Sequence, residues 1–140
     1  MSVLISESRK DQRHNRSFNW EQVLFWIDEK LGQPISTAWL AEKAHIAPNT
    51  LSQKFKKQYK TTLNQYILHR RIDTAKSLLT SSTLTIFEIG QTVGISDPQY
   101  FNKQFRKVTG ISPSRYREEN QASTDLFNSE LAIKEGQWNV

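Results

Sequence analysis

The sequence contains no cysteine, so neither a disulfide framework nor a thiolate metal site can form. It also lacks an apolar run close to the roughly 20 residues that a membrane-spanning helix needs. The apolar stretch within Met1-Ser-Val-Leu-Ile-Ser is too short for a secretory signal peptide, and the residues after it are polar. We therefore expect a protein of a reducing cytoplasm that has no membrane partner.

Residues that could carry catalysis or bind a metal are scattered along the chain. The acidic side chains form no pair at a useful spacing on a credible pocket. The three histidines, His14, His45 and His69, do not have the spacing of metal ligands, and no glycine-rich phosphate loop is present. The sequence therefore predicts no enzyme, no catalytic residue, no metal and no cofactor. His45 lies near the end of a predicted helix, where a capping role is its ordinary interpretation.

Charge is abundant but unevenly distributed. The formal net charge is +5, and residues 18–117 hold 14 Lys and Arg against 7 Asp and Glu, a net charge of +7. Residues 118–140 hold one Lys against five acidic residues, a net charge of −4. A basic central region is typical of proteins that bind a polyanion. Solubility would explain the same charge, so charge alone does not decide the function.

One stretch of the sequence occurs twice. Ile46-Ala-Pro-Asn-Thr-Leu-Ser-Gln-Lys-Phe-Lys-Lys returns as Ile95-Ser-Asp-Pro-Gln-Tyr-Phe-Asn-Lys-Gln-Phe-Arg-Lys, with one extra residue before the second copy of the proline. From that proline onward the offset is 50 positions, and before it the offset is 49. A fixed offset indicates that one supersecondary unit is used twice.

Apolar spacing and capping residues predict an all-α fold of about seven helices. Helix starts are marked by Asn19, Ser36, Thr62, Thr85 and Asp97, and two helices begin with Pro48 and Pro98. Each copy of the repeat has the outline of a helix-turn-helix unit. We predict a flexible basic arm (residues 1–18), a first helix-turn-helix subdomain (19–61), a linker helix (62–80), a second helix-turn-helix subdomain (81–118) and an acidic tail (119–140).

The second helix of each unit divides into an apolar face and a polar face. On the apolar faces we expect Leu51 and Phe55 in the first unit, and Phe101 and Phe105 in the second. The polar faces form two stripes with the same spacing. Amides suit base edges and cations suit phosphates, so the stripes predict nucleic-acid reading. The candidate residues are Asn49, Ser52, Gln53 and Lys56 in the first stripe, and Gln99, Asn102, Lys103 and Arg106 in the second.

The length of the linker helix is consistent with two sites on one DNA duplex. At ~1.5 Å per residue, a helix of about 18 residues reaches ~27 Å. Successive major grooves of B-DNA are roughly 34 Å apart. We therefore expect the two units to read two successive major grooves.

The segment with the most specific pattern is Ile86-Phe-Glu-Ile-Gly-Gln-Thr-Val-Gly-Ile-Ser-Asp-Pro-Gln-Tyr-Phe-Asn-Lys-Gln-Phe-Arg-Lys-Val-Thr-Gly-Ile-Ser-Pro-Ser-Arg-Tyr-Arg. With this segment, residues 19–118 resemble the AraC/XylS family of bacterial transcription regulators. The resemblance implies seven helices, two helix-turn-helix units and a rigid linking helix. It also implies sequence-specific promoter binding, usually with activation through RNA polymerase. We expect a cytoplasmic bacterial protein that is nucleoid-associated when bound.

The resemblance assigns roles to the two stripes. It implies that Asn49, Ser52 and Gln53 contact bases and that Lys56 contacts the backbone. In the second unit it implies base contacts by Gln99, Asn102 and Lys103 and a phosphate contact by Arg106. Short stand-alone members often have tryptophan where Asn49 stands and arginine where Gln53 stands, so the promoter sequence need not be theirs. We expect a stand-alone regulator, acting as a monomer, or the DNA-binding half of a larger one.

Two other functions are compatible with these patterns. A protein-interaction module, such as an anti-activator or a docking partner, could reuse the helix-turn-helix fold. Its polar stripes would then tolerate alanine, whereas its acidic tail would not. A general nucleic-acid coating protein would need stacking aromatic residues at the surface, but most aromatic residues here fall on predicted apolar faces.

Overall fold

The computed structural model describes residues 19–121, which form seven helices and no strand. The all-α prediction is therefore confirmed. The predicted basic arm (1–18) and the acidic tail beyond residue 121 lie outside the described residues. The helices are α1 (Trp20–Glu29), α2 (Thr37–Ala44), α3 (Pro48–Tyr59), α4 (Leu63–Ser81), α5 (Ile86–Thr92), α6 (Pro98–Thr109) and α7, which begins at Pro113 and continues at least to residue 121.

Side-chain caps define the helix starts where the sequence predicts them. Each cap supplies an oxygen to one of the backbone N–H groups that a helix start leaves without an intrahelical partner. The acceptor oxygens lie 3.0–3.3 Å from the donor nitrogens. The pairs are Asn19 with the N–H of Gln22, Ser36 with Trp39, Thr62 with Gln65 and Thr85 with Glu88.

The described chain divides into two compact units, one ending at Ile67 and the other beginning at Leu68. Each unit has its own apolar core. The first core is made by α1, α2, α3 and the start of α4, and the second by the rest of α4 with α5, α6 and α7. The buried residues are Val23, Ile27, Leu40, Ala41, Leu51, Phe55, Leu63 and Ile67 in the first core, and Ile72, Ala75, Leu79, Ile89, Val93, Ile95, Phe101 and Phe105 in the second.

The sequence repeat is also a repeat of contacts. Phe55 meets Tyr66 edge-on, with ring centroids 5.4 Å apart, and Phe105 meets Tyr116 in the same way at 5.5 Å. The residues that end α3 and α6 are both left-handed, with φ of 62° at Lys60 and 90° at Gly110. Positions 50 residues apart therefore share burial, ring geometry and backbone conformation.

Three tryptophans lie in the first unit, as expected of core residues. Trp20 meets the ring of Phe55 edge-on, with centroids 5.8 Å apart. Trp26 and Trp39 are partly buried against the same core. Lysine ammonium groups lie over these two rings, with Lys30 3.9 Å from the centroid of Trp39, in an attractive cation–π arrangement. The tryptophans therefore stabilise the first unit.

Helix α4 contains 19 residues and ends at Ser81, one residue beyond the predicted linker helix (62–80). The hydroxyl groups of Ser81 and Ser82 donate to the carbonyls of Ser77 and Leu78, each at 2.7 Å. The carbonyl of Leu78 also accepts from the backbone N–H of Ser82 at 3.1 Å. The hydroxyl groups therefore add hydrogen bonds to the last turn of the helix, and a serine-rich segment ends α4.

Arg71 makes a contact with a distant part of the chain. It is half-buried, and its Nη1 donates to the carbonyl of Gly94 at 3.2 Å. Burial lowers the pKa of the Arg71 guanidinium, and the nearby Tyr100 opposes that change. Arg71 therefore attaches α4 to the turn that follows α5.

A second arginine fastens the end of α4. Arg117, on α7, donates from Nε to the carbonyl of Leu79 at 3.0 Å and from Nη2 to the carbonyl of Ser82 at 3.3 Å. A cation near the C-terminus of a helix is favourable because the helix dipole is negative there. Both arginines act within the second unit.

Candidate nucleic-acid interface

Each unit contains one helix-turn-helix pair, α2 with α3 or α5 with α6. The turn between the two helices of a pair positions the exposed second helix. In the first unit, His45 ends α2 with φ of 59°, and the N–H of Ile46 returns to the carbonyl of Ala41 at 3.0 Å. In the second unit, Gly94 has φ of 88°, and the N–H of Ile95 returns to the carbonyl of Gly90 at 2.8 Å. Both turns therefore reverse the chain by a left-handed residue and one return hydrogen bond. The predicted capping position of His45 is confirmed.

The second turn has no room for a side chain at Gly90. A Cβ atom there would lie 2.9 Å from the carbonyl oxygen of Ile95. The equivalent residue of the first unit is Ala41, whose methyl group is buried in the core. The two turns therefore share their hydrogen bonding but differ in how closely the helix approaches the turn.

The extra residue of the second repeat supplies a helix cap. Ala47 precedes α3 and has no side-chain hydrogen bond to the helix. At the matching place before α6, Asp97 accepts from the N–H groups of Gln99 and Tyr100 at 3.0 and 3.5 Å. Proline follows in both cases as the first helical residue. The insertion therefore fixes the start of α6 more firmly than the start of α3 is fixed.

All eight candidate residues lie on exposed helix surface. In α3, Leu51 and Phe55 are fully buried, and the opposite face carries the first stripe. In α6, Phe101 and Phe105 are buried, and the second stripe is exposed. The exposed residues are Asn49, Ser52, Gln53 and Lys56 on α3, and Gln99, Asn102, Lys103 and Arg106 on α6. We call these two sets the first and second polar stripes.

The two exposed helices are positive. Each contains three Lys or Arg residues and neither contains Asp or Glu. Besides the stripe cations, α3 carries Lys54 and Lys57, and α6 carries Lys107. Amides that donate and accept, flanked only by cations, suit a polyanion whose edges bear hydrogen-bonding groups.

A depression of about 310 Å³ borders the first polar stripe. One wall is Ser52, Gln53 and Lys56, and the other includes Thr37 at the start of α2 and Asn64 at the start of α4. Neither Thr37 nor Asn64 is among the residues predicted from the sequence. The available signal was their place directly after Ser36 and at the start of the Thr62 capping box, where backbone N–H groups favour anions.

Neither a metal-binding group nor a membrane span is found in the described part of the chain. Residues 19–121 contain no group of three His, Cys, Asp or Glu side chains that could hold a metal ion. None of their helices has both the length and the apolar character needed to cross a bilayer.

Two helix-turn-helix units, each presenting a polar and basic helix, define an all-α protein of the DNA-binding helix-turn-helix class. A family model described as a helix-turn-helix domain matches residues 40–119. The chain belongs to this family, the AraC-type helix-turn-helix family, as its resemblance implied. The family consists of transcription regulators and is not an enzyme class.

Curated relatives match the chain along much of its length. The uncharacterised HTH-type transcriptional regulator YijO of Escherichia coli K12 is 36% identical over 98 residues, which are 70% of this chain and 35% of that protein. The HTH-type transcriptional activator RhaR of Escherichia coli O1:K1 is 33% identical over 100 residues, which are 71% of this chain and 36% of that protein. The chain thus spans about a third of the length of these relatives.

A solved structure is similar in fold. The DNA-binding domain of the global transcriptional factor AdpA, crystallised with a target DNA, superimposes with a TM-score of 0.70 at 25% sequence identity. The superposition covers 74% of this chain and 93% of that domain.

Proposed function

We propose that this protein is a sequence-specific, double-stranded DNA-binding transcription regulator that reads two successive major grooves. The observation that carries the proposal is the pair of matched polar stripes on two basic, exposed helices. That the similar AdpA domain was crystallised on its target DNA supports it. The 19 residues of α4 give a helix of roughly 28 Å, close to the groove repeat.

The stripes divide into base-reading and backbone-binding residues by their chemistry. Asn49, Ser52 and Gln53 would read bases in one groove, and Lys56 would neutralise a phosphate. The second stripe repeats this order: Gln99, Asn102 and Lys103 would read bases, and Arg106 would bind phosphate. Phosphate contacts of this kind give affinity without sequence preference.

We also propose a role for each segment of the chain. Residues 19–61 and 81–118 would each be a helix-turn-helix subdomain, and residues 62–80 would join them. The protein would bind as a monomer in the bacterial cytoplasm and activate promoters through RNA polymerase. The similarity to a transcriptional activator supports this last role.

The test begins with selection of bound sequences from a random duplex pool. The salt concentration must be stated, because salt governs the affinity that phosphate contacts contribute. Affinities for the selected site are then measured for Gln53→Ala and Lys103→Ala. Each substitution should cost ~1–3 kcal/mol and relax the sequence preference at its own half-site only. Gln58→Ala, an exposed glutamine on another side of α3, should leave both preferences unchanged.

Two results would contradict the proposal in different ways. An equal loss of affinity on every DNA sequence would show that these side chains contact only the DNA backbone and do not read bases. If both stripes tolerated alanine while removal of the acidic tail abolished activity, the protein-interaction alternative would replace DNA reading.

A further inference from the structure

A single arginine connects α4 to the helix-turn-helix pair of the second unit. Arg71 lies in the middle of α4 and is half-buried. Its Nη1 donates to the carbonyl of Gly94, which is 23 residues away in the sequence, at 3.2 Å. The guanidinium is also close enough to Tyr100, in the first turn of α6, for an electrostatic interaction. One side chain therefore lies beside both the turn and the start of the exposed helix.

The same turn is also held from within the pair. The N–H of Ile95 returns to the carbonyl of Gly90 at 2.8 Å. The side-chain amide of Gln91 donates from Nε2 to the carbonyl of Ser96 at 3.3 Å. Arg71 adds a hydrogen bond to this turn from a helix that is not part of the pair. The backbone that leads into α6 is therefore fixed both by α5 and by α4.

The first unit does not have the residues for the same arrangement. Helix α1, which precedes its helix-turn-helix pair, contains neither Lys nor Arg, so no cation of α1 can hold the first turn. Glu42 stands where the 49-residue offset of the repeat places Gln91. An ionised carboxylate has no hydrogen to donate to a carbonyl. The support that Arg71 gives is therefore specific to the second unit.

The support of this turn matters for a helix that reads bases. Hydrogen bonds weaken steeply when donor and acceptor are misaligned, so a reading helix must be held at a fixed position and angle. Gln99 lies in the first turn of α6, immediately after the turn that Arg71 holds. A guanidinium stays charged at neutral pH, and a hydrogen bond from a charged donor is stronger than one between neutral groups. A turn without this bond would have to be ordered when DNA binds, at a cost in affinity.

We propose that Arg71 is a positioning residue for DNA reading by the second unit. It holds the turn before α6 in the conformation that aligns the second polar stripe with base edges. The inference rests on the proposed function, since a positioning residue needs a stripe that reads bases. Phosphate contacts carry no sequence information directly, so Arg71 acts on the sequence preference at the second half-site.

The first experiment measures discrimination, the ratio of the affinities for the selected site and for the same duplex with one half-site scrambled. The half-sites are assigned beforehand with Gln53→Ala and Lys103→Ala. Arg71→Met keeps most of the aliphatic length and loses the donor. It should lower discrimination at the second half-site about tenfold, the factor that corresponds to one hydrogen bond from a charged group. Discrimination at the first half-site should not change.

Two further substitutions separate the hydrogen bond from charge and from stability. Lys76→Met removes a cation of α4 whose ammonium group pairs with Asp73 at 3.9 Å. Arg117→Met removes two hydrogen bonds at the end of α4 and none at the turn. Binding is measured at a temperature at which circular dichroism shows each variant folded, and both controls should discriminate like the wild type. A loss in Arg117→Met equal to that in Arg71→Met would overturn the proposal, because reduced stability would then explain both.

A conservative variant tests whether the hydrogen bond is the cause. The bond to Gly94 uses one of the five donors of the guanidinium, so an ammonium group can take its place. Arg71→Lys should therefore recover part of the discrimination that Arg71→Met loses. Discrimination in Arg71→Lys no better than in Arg71→Met would overturn the role of this bond.

Hydrogen exchange of the free protein gives a local signature of the same effect. In Arg71→Met, the amide of Ile95 should exchange faster than in the wild type, because the turn opens more often. Amides of α3, in the other unit, should exchange at the wild-type rate. Unchanged exchange at Ile95 would show that Arg71 does not hold the turn, and would overturn the proposal.

The outcomes separate the two proposals. Wild-type protein that selects no DNA sequence would fail the proposed function itself. Selection of a specific sequence, together with full discrimination at the second half-site in Arg71→Met, would overturn the positioning role and leave the DNA-reading function intact.

Discussion

At the scale of single residues, the turn after α5 passes too close to Gly90 for a side chain there. This position lies inside α5, where alanine would normally be favoured over glycine by ~1 kcal/mol. The carbonyl of Ile95 occupies the space that a methyl group would need. Backbone cannot move aside as a flexible side chain can, so we expect the clash to outweigh the gain in helix propensity.

Gly90→Ala should therefore destabilise the second unit, by ~1–3 kcal/mol as for other overpacked sites. Denaturant unfolding followed by circular dichroism gives the change in free energy. Ala41→Gly, at the matching place in the first unit, creates no clash. It should cost about 1 kcal/mol from helix propensity and roughly 1 kcal/mol more from the loss of a buried methyl group. A Gly90→Ala protein more stable than the wild type would show that the turn relaxes at no cost.

At the scale of helices, the two exposed helices differ at their first turn. Asp97 caps α6, whereas Ala47 leaves the first N–H groups of α3 without a side-chain partner. The backbone at Ala47, with φ of −71° and ψ of 144°, already has the extended conformation of an N-cap residue. A hydroxyl added there would reach the same donors.

We expect Ala47→Ser to stabilise α3 and Asp97→Ala to destabilise α6, each by ~1 kcal/mol. Hydrogen exchange of the first-turn amides measures each effect locally. Exchange that slows in α3 for the first variant and quickens in α6 for the second would agree. Unchanged exchange in α3 would mean that the serine does not cap it.

The end of α4 depends on Arg117. Arg117→Met keeps most of the aliphatic length but leaves the carbonyls of Leu79 and Ser82 without this donor. Hydrogen bonds from a charged group are worth ~1.5–3 kcal/mol, so we expect a loss of stability of that order in a thermal or denaturant melt.

Arg115 is the control on the same helix. It pairs with Glu119 at 3.0 Å, but both side chains are more than half exposed, at 68% and 53%. Exposed ion pairs contribute ~0–1 kcal/mol, so Arg115→Met should hardly change the melt. Equal losses in the two variants would mean that the contacts of Arg117 are no stronger than a surface pair.

Local features could be predicted from the sequence, and distant contacts could not. A helix start can be predicted from a side-chain oxygen three residues before the backbone N–H that it caps. Thr62 and Thr85 have this position, so they were sufficient to predict two helix starts. The faces of α3 and α6 follow from helical spacing. Arg71 and Arg117 were not predicted as anchors because their acceptor carbonyls lie 23 and 38 residues away. Spacing alone shows them only as cations.

The candidate site was predicted in the same way. Each polar stripe lies within a single helix, so its residues can be predicted from helical spacing alone. The depression beside the first stripe brings Thr37 and Asn64 together with Gln53 from three different helices. Such a meeting depends on packing, and no periodicity in the sequence reveals it.

At the scale of the whole molecule, stability is divided between two cores that share no buried residue. Phe105 is fully buried and meets both Phe101 and Tyr116 in the second core. Phe105→Ala should cost ~3–5 kcal/mol, as large-to-small changes at buried aromatic sites do. In a unit this small, that loss can unfold the second unit while the first remains folded.

Hydrogen exchange read by mass spectrometry distinguishes the units. In Phe105→Ala, peptides from α5 and α6 should lose protection and peptides from α2 and α3 should keep it. Phe55→Ala is the mirror experiment, because Phe55 occupies the matching place in the first core. Loss of protection in both units from either substitution would show one cooperative structure.

The tryptophans have an optical consequence. Trp20, Trp26 and Trp39 all belong to the first unit, and residues 68–121 contain none. In a Trp138→Phe background, indole emission therefore comes from one unit alone, since the chain has four tryptophans. Stopped-flow fluorescence then times the arrival of that unit on its proposed half-site without any attached dye.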